Sequence, residues 1–321
     1  MIWQSIETTT VTLARVVFFA AIAGTVFLSG KPPRASELLQ VQKVASGIYA
    51  IVGPLTNRTP ENLGNNATFG FVVTDEGVVL IDSGASAKGA AALHKLIKTV
   101  TDKPITRVIN TGGQDHRWLG NGYFKALGAG LVASSPAVED QQARAQEKLI
   151  ALGALVGDAG LAGTDFVFAE QRFDNNYRFK LGGIRFELYH AGPAHTPGDS
   201  FVWLPQQRVL FSGDIVYVDR LLGVGAQSAS RSWLLAFEAL ARFEPAVVVP
   251  GHGPPVTLAR ARADTYDYLA YLRKAVMEFM EAGGDISDVG RIDQSRFNHL
   301  DNFDALKGRN AQRVFGELEW E

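Results

Sequence analysis

The chain has 321 residues, a formal net charge of −2 and no cysteine. This length allows one large or two modest domains with enough apolar residues for a core. Because the basic residues are scattered and the charge is nearly balanced, nothing in the composition favours binding to nucleic acid or to an acidic surface. Without cysteine, a metal must be held by His, Asp, Glu or Gln, which suits zinc, iron or manganese.

The N-terminal part differs from the rest of the chain. Residues 16–30 form an apolar, uncharged run that follows Arg15 directly. The run is shorter than the about 20 residues that span a bilayer, but it suits the apolar part of a secretory signal. We therefore expect export, either to the periplasm after cleavage or with residues 10–30 kept as a membrane anchor. A buried N-terminal helix is the alternative.

From residue 39 onward the pattern predicts alternating strands and helices. The predicted strands lie at 47–52, 68–73, 77–82, 106–110, 130–134, 166–168, 177–181, 184–189, 201–204, 209–212 and 246–249. The predicted helices lie at 87–100, 122–127, 137–155, 232–243 and 258–283, with another in the tail at 301–321. The Gly- and Ala-rich stretch 156–164 is predicted to be a loop over a site.

Two runs of strands, each followed by helices, predict an α/β fold with two mixed sheets packed face to face and helices outside, an αββα sandwich of four layers. We expect three parts along the chain. Residues 1–38 form the signal or anchor with its linker, 39–260 form the sandwich, and 261–321 form a helical extension packed on the same domain.

Acidic and imidazole side chains follow four of the predicted strands, each in a turn rich in Gly or Pro. Such turns let the backbone approach a bound ion closely, and open α/β sheets bind ligands beyond the carboxyl ends of their strands. The set therefore predicts one metal site. Its members are Asp115, His116, His195, Asp214 and His252.

Several motifs together resemble the metallo-β-lactamase fold superfamily over about residues 44–256. They are IDSG with Asp82, GPAHTPGD with His195, SGD with Asp214, and PGHG with His252. The tail sequence NAQRVFGELE, at 310–319, is similar to the subgroup near sulfur-oxidation-associated and quinoprotein-relay zinc hydrolases. The resemblance implies the four-layer sandwich, but the superfamily spans lactamases, thioesterases, sulfatases, nucleases and oxidoreductases.

The chain departs from the superfamily's motif His-x-His-x-Asp-His, because it has Thr-Gly-Gly-Gln-Asp-His there. If Asp115 and His116 match the final pair, the leading histidines become Thr111 and Gly113. In the other register they become Gly112 and Gln114, and His116 takes the Asp position. Both registers lack two histidines, so we expect one ion, zinc first, with iron or manganese as alternatives.

A single ion with an open position predicts a metal-activated water and hydrolysis of an ester, thioester or amide in a small-molecule substrate. We expect Asp115 to act as a ligand or as general base and Gln114 to donate to the developing oxyanion. Arg117 and Trp118 are expected to line the substrate pocket, with Arg117 suited to a substrate carboxylate. The alternatives are an inactive binding or scaffold protein on the same fold and a non-haem iron oxidoreductase.

Overall fold

A computed structural model describes Met1 and residues 38–321. The apolar run at 16–30 lies outside the described residues. Within the part of the chain that is described, no helix has the length and apolar character needed to cross a membrane.

Twelve strands in the described residues form two sheets. They are β1 Gln40–Ala45, β2 Ile48–Val52, β3 Thr68–Thr74, β4 Gly77–Ile81, β5 Ile105–Asn110, β6 Gly130–Ser134, β7 Gln171–Phe173, β8 Asn176–Leu181, β9 Ile184–Tyr189, β10 Phe201–Leu204, β11 Val209–Phe211 and β12 Val247–Val249. The first sheet pairs β1 to β7 in chain order, antiparallel as far as β4 and parallel from there. The second has the order β12-β11-β10-β9-β8, and only β11 and β12 pair in parallel.

Helices cover the outer faces of both sheets. They are α1 Ala87–Ile97, α2 Asp115–Trp118, α3 Asn121–Ala126, α4 Ser135–Leu161, α5 Ser230–Ala241, α6 Leu258–Ala261, α7 Asp267–Glu281 and α8 Phe303–Leu318. A π-helical turn, Arg262–Tyr266, joins α6 to α7.

Three apolar clusters lie between the layers. One is shared by the facing sides of the two sheets, with Val79 and Ile109 from the first and Phe186 and Val202 from the second. A second cluster packs α1 on the outer side of the first sheet, and a third packs α5, α7 and α8 on the second. This arrangement confirms the predicted αββα sandwich.

Two local predictions are wrong. The stretch 156–164 is helical as far as Leu161, with one break at Gly157, where φ is 72°. Leu152 and Val156 are buried beside Trp118, so packing keeps this Gly- and Ala-rich segment helical. Residues 166–168 form no strand, because Phe166 and Phe168 pack on the ring of Trp118, with centroids 6.0 and 5.2 Å away.

Contact between the sheets depends on a glycine in β3. A Cβ atom at Gly70 would lie 2.2 Å from Cε1 of Phe211 in the opposite sheet. We expect Gly70→Ala to lower the free energy of unfolding by about 1–3 kcal/mol through overpacking, as measured by urea denaturation. Gly316→Ala is the control, because no atom lies within 4 Å of its new methyl group, and it should leave stability unchanged or raise it by up to about 1 kcal/mol. An unchanged midpoint for Gly70→Ala would contradict this account of the interface.

Candidate metal centre

Three of the predicted ligands meet where strands of both sheets end. His116 lies in α2 after β5, Asp214 lies in the turn Gly213–Ile215 after β11, and His252 follows β12. All three are buried, and one ligand atom from each lies within 4.8 Å of the others. Because each of these residues follows the carboxyl end of a strand, the fold brings the three side chains together although the residues are far apart along the chain.

The turn that carries Asp214 requires a glycine. Gly213 has φ of 52°, and a Cβ atom there would lie 2.3 Å from Oγ1 of Thr111. The backbone of this turn can therefore pack directly on the end of β5, which brings the Asp214 carboxylate under both imidazoles.

The contact between His252 and Asp214 is the feature that points to a cation. Nδ1 of His252 lies 3.0 Å from the carbonyl oxygen of Asn66, so this nitrogen must be the donor. Burial lowers the pKa of His252 well below its usual range. The neutral ring then presents the lone pair of Nε2 to Oδ1 of Asp214, 3.3 Å away. Two acceptors face one another with no proton between them, and a bound cation satisfies both.

His195 lines the same cavity but lies outside the group of three. Its Nδ1 lies 3.0 Å from the carbonyl oxygen of Gly223, and burial lowers its pKa to about 4. The imidazole is therefore neutral at pH 7 with Nε2 as a free acceptor.

His116 has a different hydrogen-bonding pattern. Nη2 of Arg58 lies 2.8 Å from its Nδ1, and its Nε2 lies 3.2 Å from Oδ2 of Asp214. Because arginine only donates, Nδ1 is the acceptor and Nε2 carries the proton. Oδ1 of Asp115 lies 3.3 Å from Nδ1. When His116 binds a metal through Nε2, its proton lies on Nδ1 instead. The Asp115 carboxylate can then accept a hydrogen bond from Nδ1, as carboxylates beside metal-bound histidines do.

Asp115 itself is not one of the clustered ligands, which corrects the expectation that it binds metal. Its carboxylate is buried and forms an ion pair with Arg58. Burial raises its pKa, but the Arg58 guanidinium and His116 outweigh this and lower it overall. Such a weakly basic carboxylate is poorly suited to act as a general base. Asp115 instead accepts a hydrogen bond from the backbone N–H of His116, at 2.8 Å, and its ion pair places Arg58 beside the His116 ring.

Arg117 and Trp118 are also corrected, because both side chains are fully buried and neither lines the cavity. The Arg117 guanidinium forms ion pairs with Asp82, at 2.9 Å, and with Asp214, at 2.6 Å. It also donates to the carbonyl oxygens of Thr68 and Gly251. Burial raises the pKa of Asp214, but Arg117 and His116 hold it well below its usual range.

Gly112 and Gly113, each of which takes a leading-histidine position in one of the two registers, are closely packed. A Cβ atom at Gly112 would lie 2.3 Å from Oδ1 of Asp199, and one at Gly113 would lie 1.8 Å from Oδ2 of Asp140. Gln141 donates to the carbonyl oxygen of Gly112. The space beside this loop is therefore filled. If Asp115 and His116 matched the final pair of the motif, both would be metal ligands, but only His116 belongs to the cluster and Asp115 pairs with Arg58. The structure therefore favours the register in which His116 takes the Asp position and Arg117, which contacts Asp214, takes the final His position.

A cavity of about 430 Å³ opens above the centre. Gln114 lines it, and its Oε1 accepts a hydrogen bond from Lys148 at 2.8 Å. This bond turns the amide so that its NH₂ group is free to donate. Sequence reasoning missed Arg58, Tyr217 and Arg220 in the cavity wall. Of these, only Tyr217 could have been predicted from the sequence, because it lies three positions after the predicted ligand Asp214.

A four-layer α/β sandwich with a buried His-Asp-His group at its strand ends points to a class of metal-binding proteins. The sequence profile of the metallo-beta-lactamase superfamily matches residues 64–252, which is more than half of the chain. The chain therefore belongs to this superfamily.

Two relatives and two solved structures illustrate the similarity. The chain is 27% identical over 218 residues to a metallo-beta-lactamase type 2 of Elizabethkingia meningoseptica, covering 67% of this chain and 78% of the relative. It is 22% identical over 253 residues to a linear primary-alkylsulfatase of a Pseudomonas species, covering 66% and 47%. A metallo-beta-lactamase from Pontibacter korlensis aligns with TM-score 0.58 and 26% identity over 72% of this chain and 99% of that one.

The inverting sec-alkylsulfatase Pisa1 from a Pseudomonas species aligns with TM-score 0.67 over 88% of this chain, at 19% identity, which shows the fold alone. The chain spans about half the length of both alkylsulfatases, 47% and 51%. Both relatives are named as hydrolases, so the comparisons support a metal-dependent hydrolase at the level of the superfamily.

The buried Arg117 is expected to be a large contributor to stability. Arg117→Gln leaves the Asp82 and Asp214 carboxylates without their cation, so the free energy of unfolding should fall by about 3–5 kcal/mol, as measured by urea denaturation. Arg117→Lys, which keeps the charge, should fall between this variant and wild type. Arg185→Gln is the control, because its ion pair with Glu187 is on the surface and should change stability by less than about 1 kcal/mol. A change that small for Arg117→Gln would contradict the role assigned here.

Because the imidazole of His195 is buried and neutral, we expect the folded protein to lose stability in acid. Its folded pKa of about 4 lies below the unfolded value of about 6.5, so the unfolded chain takes up the proton first as pH falls. The stabilisation is therefore present above pH 6.5 and is lost as pH falls towards 4. In EDTA, wild type should lose about 2 kcal/mol more than His195→Gln between pH 7 and 4.5, as measured by urea denaturation. Equal losses in both proteins would refute this.

Proposed function

We propose that this protein hydrolyses an ester, thioester or amide bond of a small molecule with one divalent ion, zinc, held by His116, Asp214 and His252. One observation carries the proposal. The neutral Nε2 of His252 faces Oδ1 of Asp214 at 3.3 Å, an arrangement of two acceptors that a cation stabilises.

The donor set fits a catalytic ion rather than a structural one. Three protein ligands leave a position open, whereas structural zinc sites use four. When bound, the ion supplies a Lewis acid that polarises the scissile carbonyl and ionises water near neutral pH. His and carboxylate ligands also suit iron and manganese, so the elemental analysis described below distinguishes these metals from zinc.

The surrounding side chains have distinct parts in this proposal. Arg117 keeps Asp214 ionised and in place, and Asp115 can accept a hydrogen bond from Nδ1 of His116 when Nε2 binds the metal. His195 has its Nε2 free to accept a hydrogen bond from the attacking water, since Nδ1 is held by Gly223. Gln114 presents its NH₂ group to the oxygen that gains negative charge, because Lys148 holds its carbonyl end.

The cellular location remains a separate proposal. The apolar, uncharged run at 16–30 supports export, with the chain either released to the periplasm or anchored to the membrane.

Metal analysis with variants tests the proposal. Protein from cultures supplemented with zinc and iron should contain one zinc ion per chain by elemental analysis. Asp214→Ala and His252→Asn should each weaken zinc binding by more than about 100-fold, because a direct ligand contributes more than the second-sphere groups that give 10–100-fold. Both should abolish hydrolysis of a panel of nitrophenyl esters and thioesters. His299→Ala is the control, since its side chain is 53% exposed and lies outside the centre.

The other outcomes separate the alternatives. Protein without metal, with a melting temperature unaffected by zinc or chelator, would favour a binding or scaffold role. Stoichiometric iron with no hydrolysis would favour an oxidoreductase.

A further inference from the structure

We infer that the second half of α4, residues 149–161, is a lipid-binding surface that holds the rim of the cavity against a membrane. A lipid surface is bound in the same way whether or not the bond cleavage proposed above takes place, so the two proposals stand separately.

The exposed side of α4 changes in character half-way along the helix. Residues 139–148 include five charged residues, whereas residues 149–157, LIALGALVG, have no polar side chain. The side chains of the apolar half are nevertheless open to solvent, because Ile150 is 65% exposed and Leu155 is 45% exposed. The solvent side of a helix in a globular protein is normally polar, so this half of α4 is suited to contact with an apolar partner.

The exposed apolar side chains lie next to one another. Ile150 and Ala154 are four residues apart, as are Ala151 and Leu155, and residues with this spacing are neighbours on a helix surface. All four are exposed. They therefore form one patch, and contiguous exposed apolar patches mark interaction sites.

The break at Gly157 adds a groove to this patch. The chain turns there with φ of 72°, and Leu161 returns to the helix, where a Cβ atom at Gly153 would lie 3.1 Å from Cδ1 of Leu161. The groove has a volume of about 460 Å³ and only one charged residue, Asp158, in its wall. Its other lining residues are Leu149, Ile150, Gly153, Ala154 and Leu161. A groove with such a lining suits an acyl chain.

The kind of side chain in the patch favours lipid over a protein partner. Protein interfaces are enriched in Tyr, Trp, Met and Arg, whereas this patch contains only Leu, Ile, Ala and Gly. The patch also continues into the cavity, because Leu155 lines the cavity wall, as Leu306 of α8 does. Lipid bound there would give apolar ligands a direct way from the membrane to the metal centre.

The length of chain before the first strand fits the same arrangement. The apolar run at 16–30 supports an anchor, and the nine steps from residue 30 to Leu39 reach at most about 30 Å. Leu39 belongs to the apolar cluster on the outer side of the first sheet, which also contains Val138 of α4. Seven strands make a sheet about 29 Å wide. An anchored chain therefore has enough reach for this outer layer to lie on the bilayer.

Fluorescence quenching by brominated lipid tests the orientation. The full chain is reconstituted into phosphatidylcholine vesicles with bromine at acyl carbons 6 and 7, and the wild-type emission is subtracted because the chain has five tryptophans. The emission added by Ile150→Trp should fall about 2-fold relative to unbrominated vesicles, because a helix on a bilayer buries its apolar face about 5–10 Å deep. Leu235→Trp is the matched control. Leu235 is 62% exposed but lies on α5, over the second sheet, so its emission should not change.

A charge placed in the patch provides a second test. Ala154→Asp in the Ile150→Trp protein should remove most of the quenching, because burying a carboxylate in lipid is unfavourable. Ala143→Asp, at an exposed position in the polar half of α4, should leave the quenching unchanged. Circular dichroism confirms that each variant keeps its helices.

The outcomes separate this surface from the alternatives. Quenching at 150 in a protein that hydrolyses no ester supports the lipid surface, and only the proposed reaction then fails. Equal quenching at 150 and 235, or no quenching at 150, would overturn the inference. If the chain also forms a dimer that Ala154→Asp dissociates, the patch belongs to a second copy instead.

Discussion

The buried guanidinium of Arg117 is the interaction on which the centre depends. It contacts Asp82, directly after β4, and Asp214, in the turn after β11, together with the carbonyl oxygen of Gly251, after β12. One side chain thus ties together segments that leave strands of both sheets. A buried cation between two carboxylates holds its geometry strongly, because displacing any partner leaves an uncompensated charge. The Asp214 carboxylate is therefore in place and ionised before any ligand binds.

The group formed by Asp82, Arg117 and Asp214 also determines the charge of the cavity floor. Arg117 shares its positive charge between the Asp82 and Asp214 carboxylates, and the imidazoles of His195 and His252 are uncharged because burial lowers their pKa values. A divalent ion would therefore outweigh the remaining negative charge and make the floor positive. Since no acidic residue of the described chain lines the walls, the field in the cavity favours anionic ligands.

Sequence reasoning succeeded where topology alone decides the outcome. Asp214 and His252 follow two parallel strands of the second sheet, whose carboxyl ends share one edge, and His116 follows a strand of the first sheet that ends at the same place. It was wrong where the position of a side chain depends on contacts with residues that are distant in the chain. Arg117 and Asp115 were expected at the pocket because they flank His116 in the turn after a strand, and the local sequence did not reveal Asp82 and Arg58 as their partners. Residues 156–161 are helical because Leu152 and Val156 pack beside Trp118, a contact that local composition does not indicate.

The closely packed glycine loop bears on how many ions the centre holds. Asp199 and Asp140 occupy the positions into which side chains at 112 and 113 would project, and Gln141 and Thr196 hydrogen-bond to the backbone there. An imidazole at either position would have to displace a carboxylate that is itself hydrogen-bonded or ion-paired. In the favoured register the first leading-histidine position is Gly112, which the Asp199 carboxylate closes off, and the second is Gln114, whose side chain lines the cavity. His195 is left as an acceptor without neighbouring ligands of its own, which suits a residue that orients water beside a single ion.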